Sequence, residues 1–226
     1  MLAKSILKLF RKVNLWKTVY FNLHYFPWKT ALRLPVFIYK RSELYKMKGR
    51  IVINAPVKTG MIKLGPHGLG TQDMLFERTM WEVAGTLVIN GNACIGRGSK
   101  ISIGENATLT LGDNFTITGG SDIICHKAIT FGRDCLLSWD ILMMDTDFHN
   151  VLDLQGKKIN APKPITIGNH VWIGCRNTVL KGTTIADNCI VSANSTITRS
   201  FDKPNCIVGG NGKNAGTIKE DIDWEQ

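Results

Sequence analysis

Several things are missing from this 226-residue chain, and each absence narrows the field. No stretch approaches the ~20 consecutive apolar residues that a membrane-crossing helix needs, and no apolar run of leader length follows Met1. The six cysteines (Cys94, Cys125, Cys135, Cys175, Cys189, Cys206) contain no CxxC pair, and disulfide scaffolds are far shorter and denser in cysteine. A cytoplasmic protein with reduced thiols is expected. Acid is nearly absent from residues 1–50, which hold 12 of the 28 Lys and Arg and a single acid, Glu43. The formal net charge of +10 therefore belongs to the N-terminus, because the other 176 residues carry 16 basic and 17 acidic side chains. With no recognisable nucleic-acid-binding module, that charge gives no ground for a nucleic-acid partner.

What is present is a repeat. From Ile167 the chain places Ile173, Val179, Ile185, Val191 and Ile197 at steps of six. Two residues before each aliphatic lie mostly small ones: Val171, Asn177, Thr183, Cys189 and Ser195. A period of six fits neither an amphipathic helix at 3.6 nor a simple alternating strand at 2. It fits a hexapeptide β-helix, in which each hexad forms a short strand and a turn and three hexads close a triangular coil. Upstream the frame continues with slips of two: Ile89, Ile95, Ile101, then Ile103 and Leu109, then Leu111, Ile117, Ile123 and Ile129, then Phe131, Leu137 and Met143. A β-sandwich of short strands is the alternative, but its loops would not hold six-residue register for thirty residues.

Residues 1–50 form a basic amphipathic segment. Ile6, Leu9, Phe10 and Val13 fall at helical spacing among Lys4, Lys8, Arg11, Lys12 and Lys17. Trp16, Tyr20, Phe21, Tyr25, Phe26 and Trp28 follow, rich in the aromatics that favour a membrane interface. Two outcomes are open: residues 1–28 make a peripheral membrane contact, or the helix packs on the rest of the protein or on a neighbouring subunit. The run GPHGLG at 65–70 precedes no clear helix and reads as turns.

Between the two stretches of repeat lies MDTDFHNVLDLQGKKINAPKP, residues 144–164, a polar interruption with one histidine. Catalytic groups tend to sit on loops held by a rigid scaffold, and His149 lies close in sequence to Asp145 and Asp147, either of which is a candidate to hold one ring nitrogen. A histidine so oriented takes a proton from a hydroxyl near neutral pH, help that is typically worth ~10²–10⁴ in rate. A solvated loop histidine without a role is the alternative. A zinc site of three imidazoles would need His126, His149 and His170, and no spacing supports their convergence, so no metal is expected.

The stretch KPITIGNHVWIGCRNTVLKGTTIADNCIVSANSTITRSF, preceded by a histidine-bearing loop, resembles the hexapeptide-repeat O-acetyltransferases, the group of maltose, galactoside and capsular-polysaccharide acetyltransferases. The resemblance runs from about Leu87 to Lys219. It implies a mainly β fold, a left-handed parallel β-helix with an N-terminal helical segment and an extruded loop, assembled as a homotrimer with active sites between subunits. It also implies acetyl-CoA as donor and a saccharide hydroxyl as acceptor, with direct transfer in a ternary complex and no acyl-enzyme. Carried over by position, His149 matches the catalytic base and Trp172 the site-lining tryptophan of the WIG motif. Cys175, Ala193 and Thr198 match positions that contact CoA.

Two departures stand out. Gly120, in ITGGSD, occupies the position of the acceptor-site asparagine found in the related sugar acetyltransferases. The C-terminal GGNGKNAGTIK lacks their proline, which leaves Lys213 and Lys219 as candidates for the CoA phosphates, since lysine serves as a point-charge phosphate binder. The expected division is a basic segment at 1–50, a β-helix acyltransferase domain at 51–219 with its catalytic loop at 144–164, and an acidic tail at 220–226. An N-acyltransferase acting on an amino sugar and a non-catalytic β-helix scaffold remain as alternatives, the latter requiring that His149→Ala change nothing.

Overall fold

A computed structural model describes residues 11–66, 70, 73 and 76–225. From Val36 onward short strands follow one another, and almost every strand pairs in parallel with the third strand after it, so that the chain winds around three flat faces. Face one stacks Val36–Ile38, Ile62–Leu64, Ala93–Ile95, Phe115–Gly119, Leu136–Trp139, Trp172–Ile173, Ile190–Val191 and Ile207–Gly209, and closes with the antiparallel Gly216–Lys219. Face two stacks Ser42–Met47, Thr79–Val83, Lys100–Ile103, Asp122–Cys125, Leu142–Met144, Thr178–Leu180 and Thr196–Ile197. Face three stacks Arg50–Ile53, Thr86–Ile89, Thr108–Leu111, Ala128–Phe131, Ile165–Ile167 and Thr184–Ile185. This is a parallel β-helix of triangular section.

The hexads explain the prism. On face one, Ile38, Leu64, Ile95, Ile117, Leu137, Ile173, Val191 and Val208 stand in direct register, one above the next. All eight are essentially sealed from solvent. Face two does the same with Trp81, Ile101, Ile123, Met143, Val179 and Ile197. Full burial of each such side chain contributes roughly 1.5–3 kcal/mol, which makes these ladders the main stabilising term. The small residues two before each aliphatic are buried as well: Val171, Asn177, Thr183, Cys189 and Ser195 fill the corners. Asn177 is satisfied there, donating to the Gly174 carbonyl and accepting from the Ser195 N–H at 2.7 Å.

The slips of two have a simple cause. In Lys100–Ile103, Thr108–Leu111 and Ala128–Phe131 the strand is four residues long and turns both its second and its fourth residue inward, so Ile101 and Ile103, Leu109 and Leu111, and Ile129 and Phe131 are all buried. A coil there takes more residues: Ile101 pairs with Ile123, 22 positions on, whereas Val179 pairs with Ile197, only 18 on.

Coiling begins at Val36, ahead of the boundary at 51 expected from the sequence, because the first strands alternate inward and outward residues without a six-residue frame. A helix at Leu15–Tyr25 covers the open end of face one. Asn22 exchanges hydrogen bonds with both backbone groups of Val36, and the Thr18 hydroxyl accepts from the Ile38 N–H at 3.0 Å. These side chains replace the missing neighbouring strand and blunt the edge. Phe21 and Tyr25 pack against Trp81 inside the first coils. Of the amphipathic stripe expected from the sequence, Ile6, Leu9 and Phe10 lie outside the described residues, while Val13 is buried and bridged to Tyr39. The central part of GPHGLG, residues 67–69, also lies outside them; Gly65 turns with φ +80°. All six cysteines are free thiols.

Candidate functional site

The interruption leaves the prism at the corner between faces two and three, after Leu142–Met144, and rejoins it at Ile165–Ile167. Its root is Asp145, which is fully buried and turned inward. The carboxylate accepts backbone N–H bonds from His126, Lys127 and Ala128 at 2.7, 2.8 and 2.8 Å, stitching the loop to the coil before it. Its charge joins burial in pushing the Cys125 thiol up to about 12. The second tie is Asp147, whose carboxylate accepts from the Lys181 ammonium and from Asn160 Nδ2. Lys181, then Asn160, hold the Asp147 carboxyl below its ordinary value. Asn160 also donates to the His149 carbonyl at 2.8 Å and accepts from the Val151 N–H at 2.8 Å, and Lys181 reaches the Asn160 carbonyl at 3.1 Å. Two distant parts of the loop are thereby clamped to the following coil. At the tip, Asp153 accepts from the Gln155 and Lys157 N–H groups, and Gly156 takes the φ of +82° that the tight turn requires.

His149 sits inside this clamp. Its N–H donates to the Asp147 carbonyl at 2.6 Å, its carbonyl is held by Asn160, and its ring is exposed. The expectation that Asp145 or Asp147 holds a ring nitrogen is corrected here. Asp145 is spent on three backbone donors and Asp147 on Lys181 and Asn160, so each positions the backbone of the loop, and among the described residues the ring has no hydrogen-bond partner. The preceding residue, Phe148, is held at φ +59°, a conformation that costs a bulky residue on the order of 1–3 kcal/mol and tends to cluster at functional sites. Its ring meets His126 edge-on at 4.8 Å and leans over a groove of 270 Å³ on face two, lined by Tyr45, Met80, Ile101 and Ile124 with the Lys100–Asp122 ion pair at its side.

The other expected site residues lie elsewhere on the prism. Trp172 is on face one, half-buried, with its indole N–H donating to Ser138 at 3.0 Å. Cys175 and Ala193 stack at the corner between faces one and two, where the Asn194 N–H donates to the Cys175 carbonyl at 2.9 Å. A Cβ on Gly174 would come within 2.9 Å of the Ala193 nitrogen, so glycine is what lets the coils close up at this corner. Gly120 lies on the same corner toward the N-terminus, with Trp139 half-buried between it and Cys175. Thr198 is instead on the loop's corner, just past the Val179–Ile197 pair. Lys213 and Lys219 stand exposed after the last coil and carry no ion pair among the described residues. Cys175 is half-buried and Ala193 exposed. His126, His149 and His170 do not converge; no group of three His, Cys, Asp or Glu among the described residues could hold a metal ion.

Sequence inspection missed Asn160 and Lys181, whose pairing with Asp147 spans 13 and 34 positions, and Trp139, which looks like any strand end. It also missed the fate of the tail. Trp224 folds back to stack on His170 at 4.1 Å and to lie 5.9 Å from Trp172, and its indole N–H donates to the His170 carbonyl.

Residues 164–199 match the family described as bacterial transferase hexapeptide (six repeats). The chain is 31% identical over 139 residues to the polysialic acid O-acetyltransferase of Escherichia coli O1:K1 / APEC, covering 60% of this chain and 41% of that protein. It is 32% identical over 90 residues to the galactoside O-acetyltransferase of Escherichia coli (strain K12), covering 39% and 43%. The chain thus spans less than half the length of these curated relatives. A hexapeptide-repeat acetyltransferase from Vibrio cholerae O1 biovar eltor, solved in complex with acetyl coenzyme A, is similar with a TM-score of 0.49 and 23% identity over 61% of this chain and 72% of that one. The expected mainly β fold, a parallel β-helix with an N-terminal helix and an extruded loop, is what the strand order shows.

Proposed function

We propose that this chain, a relative of the hexapeptide-repeat transferases through residues 164–199, is an acetyl-CoA-dependent O-acetyltransferase acting on a saccharide hydroxyl. One observation carries the proposal. A histidine is fixed by its backbone on a loop rooted at a buried aspartate, and its imidazole is left exposed and uncommitted. A group held in that way is positioned to serve a substrate. The ring nitrogen of His149 removes the proton from the acceptor hydroxyl as its oxygen attacks the thioester carbonyl. The C–S bond then breaks, and the CoA sulfur leaves and takes that proton from the imidazolium. Asp147, Asn160 and Lys181 set where the ring stands. Acetyl-CoA supplies the acetyl group as a thioester, and Cys175, Ala193, Lys213 and Lys219 would hold it. Cys175 serves as a small wall residue.

His149 is at the corner of faces two and three, whereas Trp172 is on face one and Cys175 and Ala193 are at the next corner. Completing one site from these parts calls for a second copy of the chain, which supports a homotrimer with sites between subunits. The outward residues of face two nearest the loop, Ile124, Leu142, Met144 and Leu180, are apolar and half-buried in one chain, as a subunit contact would need. Calorimetric titration of acetyl-CoA into the purified protein tests the donor without knowledge of the acceptor. Saturable binding at about one molecule per subunit, weakened by replacing Lys213 and Lys219 with alanine, is expected. Absence of binding by a folded, assembled protein overturns the proposal.

A further inference from the structure

The helix Leu15–Tyr25 is amphipathic the wrong way round. Its inner face spends two polar residues, Thr18 and Asn22, on capping the backbone of face one, with only Phe21 and Tyr25 as apolar partners inside. Its outer face presents Leu15, Trp16, Val19, Tyr20 and Leu23, which are 50%, 78%, 41%, 50% and 56% exposed. The short helix that follows adds Trp28 and Leu32, 65% and 69% exposed. A surface helix on a water-soluble protein normally turns its apolar stripe toward the core. Here a contiguous aromatic and aliphatic surface faces away from it, and an exposed apolar patch of this kind marks an interaction site.

Charge selects the occupant. Residues 1–50 hold 12 basic residues against one acid, and that acid, Glu43, is already engaged by Lys17 at 3.0 Å. Arg11, Lys29 and Arg33 are exposed around the patch, and Lys29 lies over the Trp28 ring at 5.7 Å. A second copy docking through this face would set cation against cation. An anionic lipid surface satisfies both features, since tryptophan and tyrosine favour the headgroup boundary and lysine and arginine are drawn to acidic headgroups.

We propose that the outward face of Leu15–Tyr25, continued by Trp28 and Leu32, seats this protein on an anionic membrane surface. It lies in the interface and does not cross it, because no helix among the described residues is long and apolar enough to span a bilayer. The helix caps the first coil and the His149 loop leaves the fifth strand of face two, so at ~4.8 Å per coil the loop stands ~20 Å along the axis from the seated end. The proposal is independent of the acetyl-transfer reading.

Cosedimentation of the full chain with vesicles tests it, using phosphatidylcholine alone and phosphatidylcholine with about 30% phosphatidylglycerol. Binding to the acidic vesicles only is expected, with a loss of at least ~10-fold in Trp16→Ser/Leu23→Ser/Trp28→Ser and a comparable loss in Arg11→Glu/Lys29→Glu/Arg33→Glu. Both variants change exposed side chains, and an unchanged melting temperature confirms that each is folded. No binding to either vesicle, equal binding to both, or full binding by the triple serine variant would overturn the proposal. So would a higher oligomer in sedimentation velocity that the serine variant abolishes, which would assign the face to a second copy.

Discussion

The coils from Ile165 to Ile197 and the loop just before them are joined end to end, yet they are stabilised by opposite means. The coils bury an aliphatic residue on each face, and Ile165, Ile167, Ile173, Val179, Ile185, Val191 and Ile197 are almost wholly inaccessible. Beyond Asp145 and Thr146 the loop buries nothing, and it leaves Val151, Leu154 and Ile159 in solvent. Its order comes from a few polar ties: Asp145 below, Asp147 with Lys181 at the side, and Asn160 across the middle. The scaffold is therefore redundant, many equivalent contacts sharing the load, while the loop depends on single residues. A repeat that needs only size and apolarity at its inward positions leaves a loop free to specialise.

The sharpest way to break this contrast is to put the same change in both regions. Val191→Asp sets an unpaired carboxylate inside the prism, and burying a charge without a partner is costly enough that the protein is expected not to fold, as circular dichroism would show. Leu154→Asp, at a position fully open to solvent, should shift stability by less than about 0.5 kcal/mol. If the two had similar effects, the contrast would be wrong.

Asp145→Ala comes next. It strands three partly buried backbone donors, and hydrogen bonds to a charged group contribute ~1.5–3 kcal/mol each before relaxation. A destabilisation of about 3 kcal/mol is expected by chemical unfolding, with the amides of His126, Lys127 and Ala128 losing hydrogen-exchange protection first. Protection of these three amides equal to that of the native protein would contradict their dependence on one carboxylate.

Lys181→Met separates position from stability. Asp147 is exposed and Lys181 half-buried, and a pair open to solvent on one side contributes about 1 kcal/mol, so the melting temperature should move little. Turnover should still fall about 10-fold through misplacement of His149. The same tie carries a pH signature. Asp147 has its pKa lowered in the folded protein, so its contribution is fully present above the ordinary carboxylate value of 3.8 and is lost as pH falls through the depressed value. Exchange protection at Asn160 should hold from pH 7 to pH 5 and disappear only in acid, and the variant should lack that transition. Smallest of all is Cys175→Ala, which should change turnover less than about twofold, since a wall residue forms no covalent intermediate. Loss of activity in that variant would point to an acyl-enzyme.

The contrast also fixes what was legible beforehand. Burial repeats, so Ile167 to Ile197 and even the slipped frames at Ile103 and Leu111 named the inward residues correctly. Long strands carry two inward side chains, which is why the frame slips without being lost. Polar ties do not repeat. Lys181 meets Asp147 across 34 positions, and nothing in a lysine after a strand shows that partner. Asp145 and Asp147 were picked out beside His149 by proximity, but proximity did not reveal that one faces inward and the other sideways. The inner face of the capping helix was not legible for a related reason: its inward residues include Thr18 and Asn22, which satisfy a strand edge, so the apolar side is not the buried one.

The central claim is that His149 is the base for acetyl transfer, and the most direct measurement is the rate of acetyl transfer from acetyl-CoA across a panel of saccharide acceptors by the native protein and by His149→Ala, alongside the affinity of each for acetyl-CoA. The account predicts turnover by the native protein, a loss of ~10²–10⁴ in the variant, and unchanged donor binding. A variant that binds acetyl-CoA and transfers acetyl as fast as the native protein would contradict it.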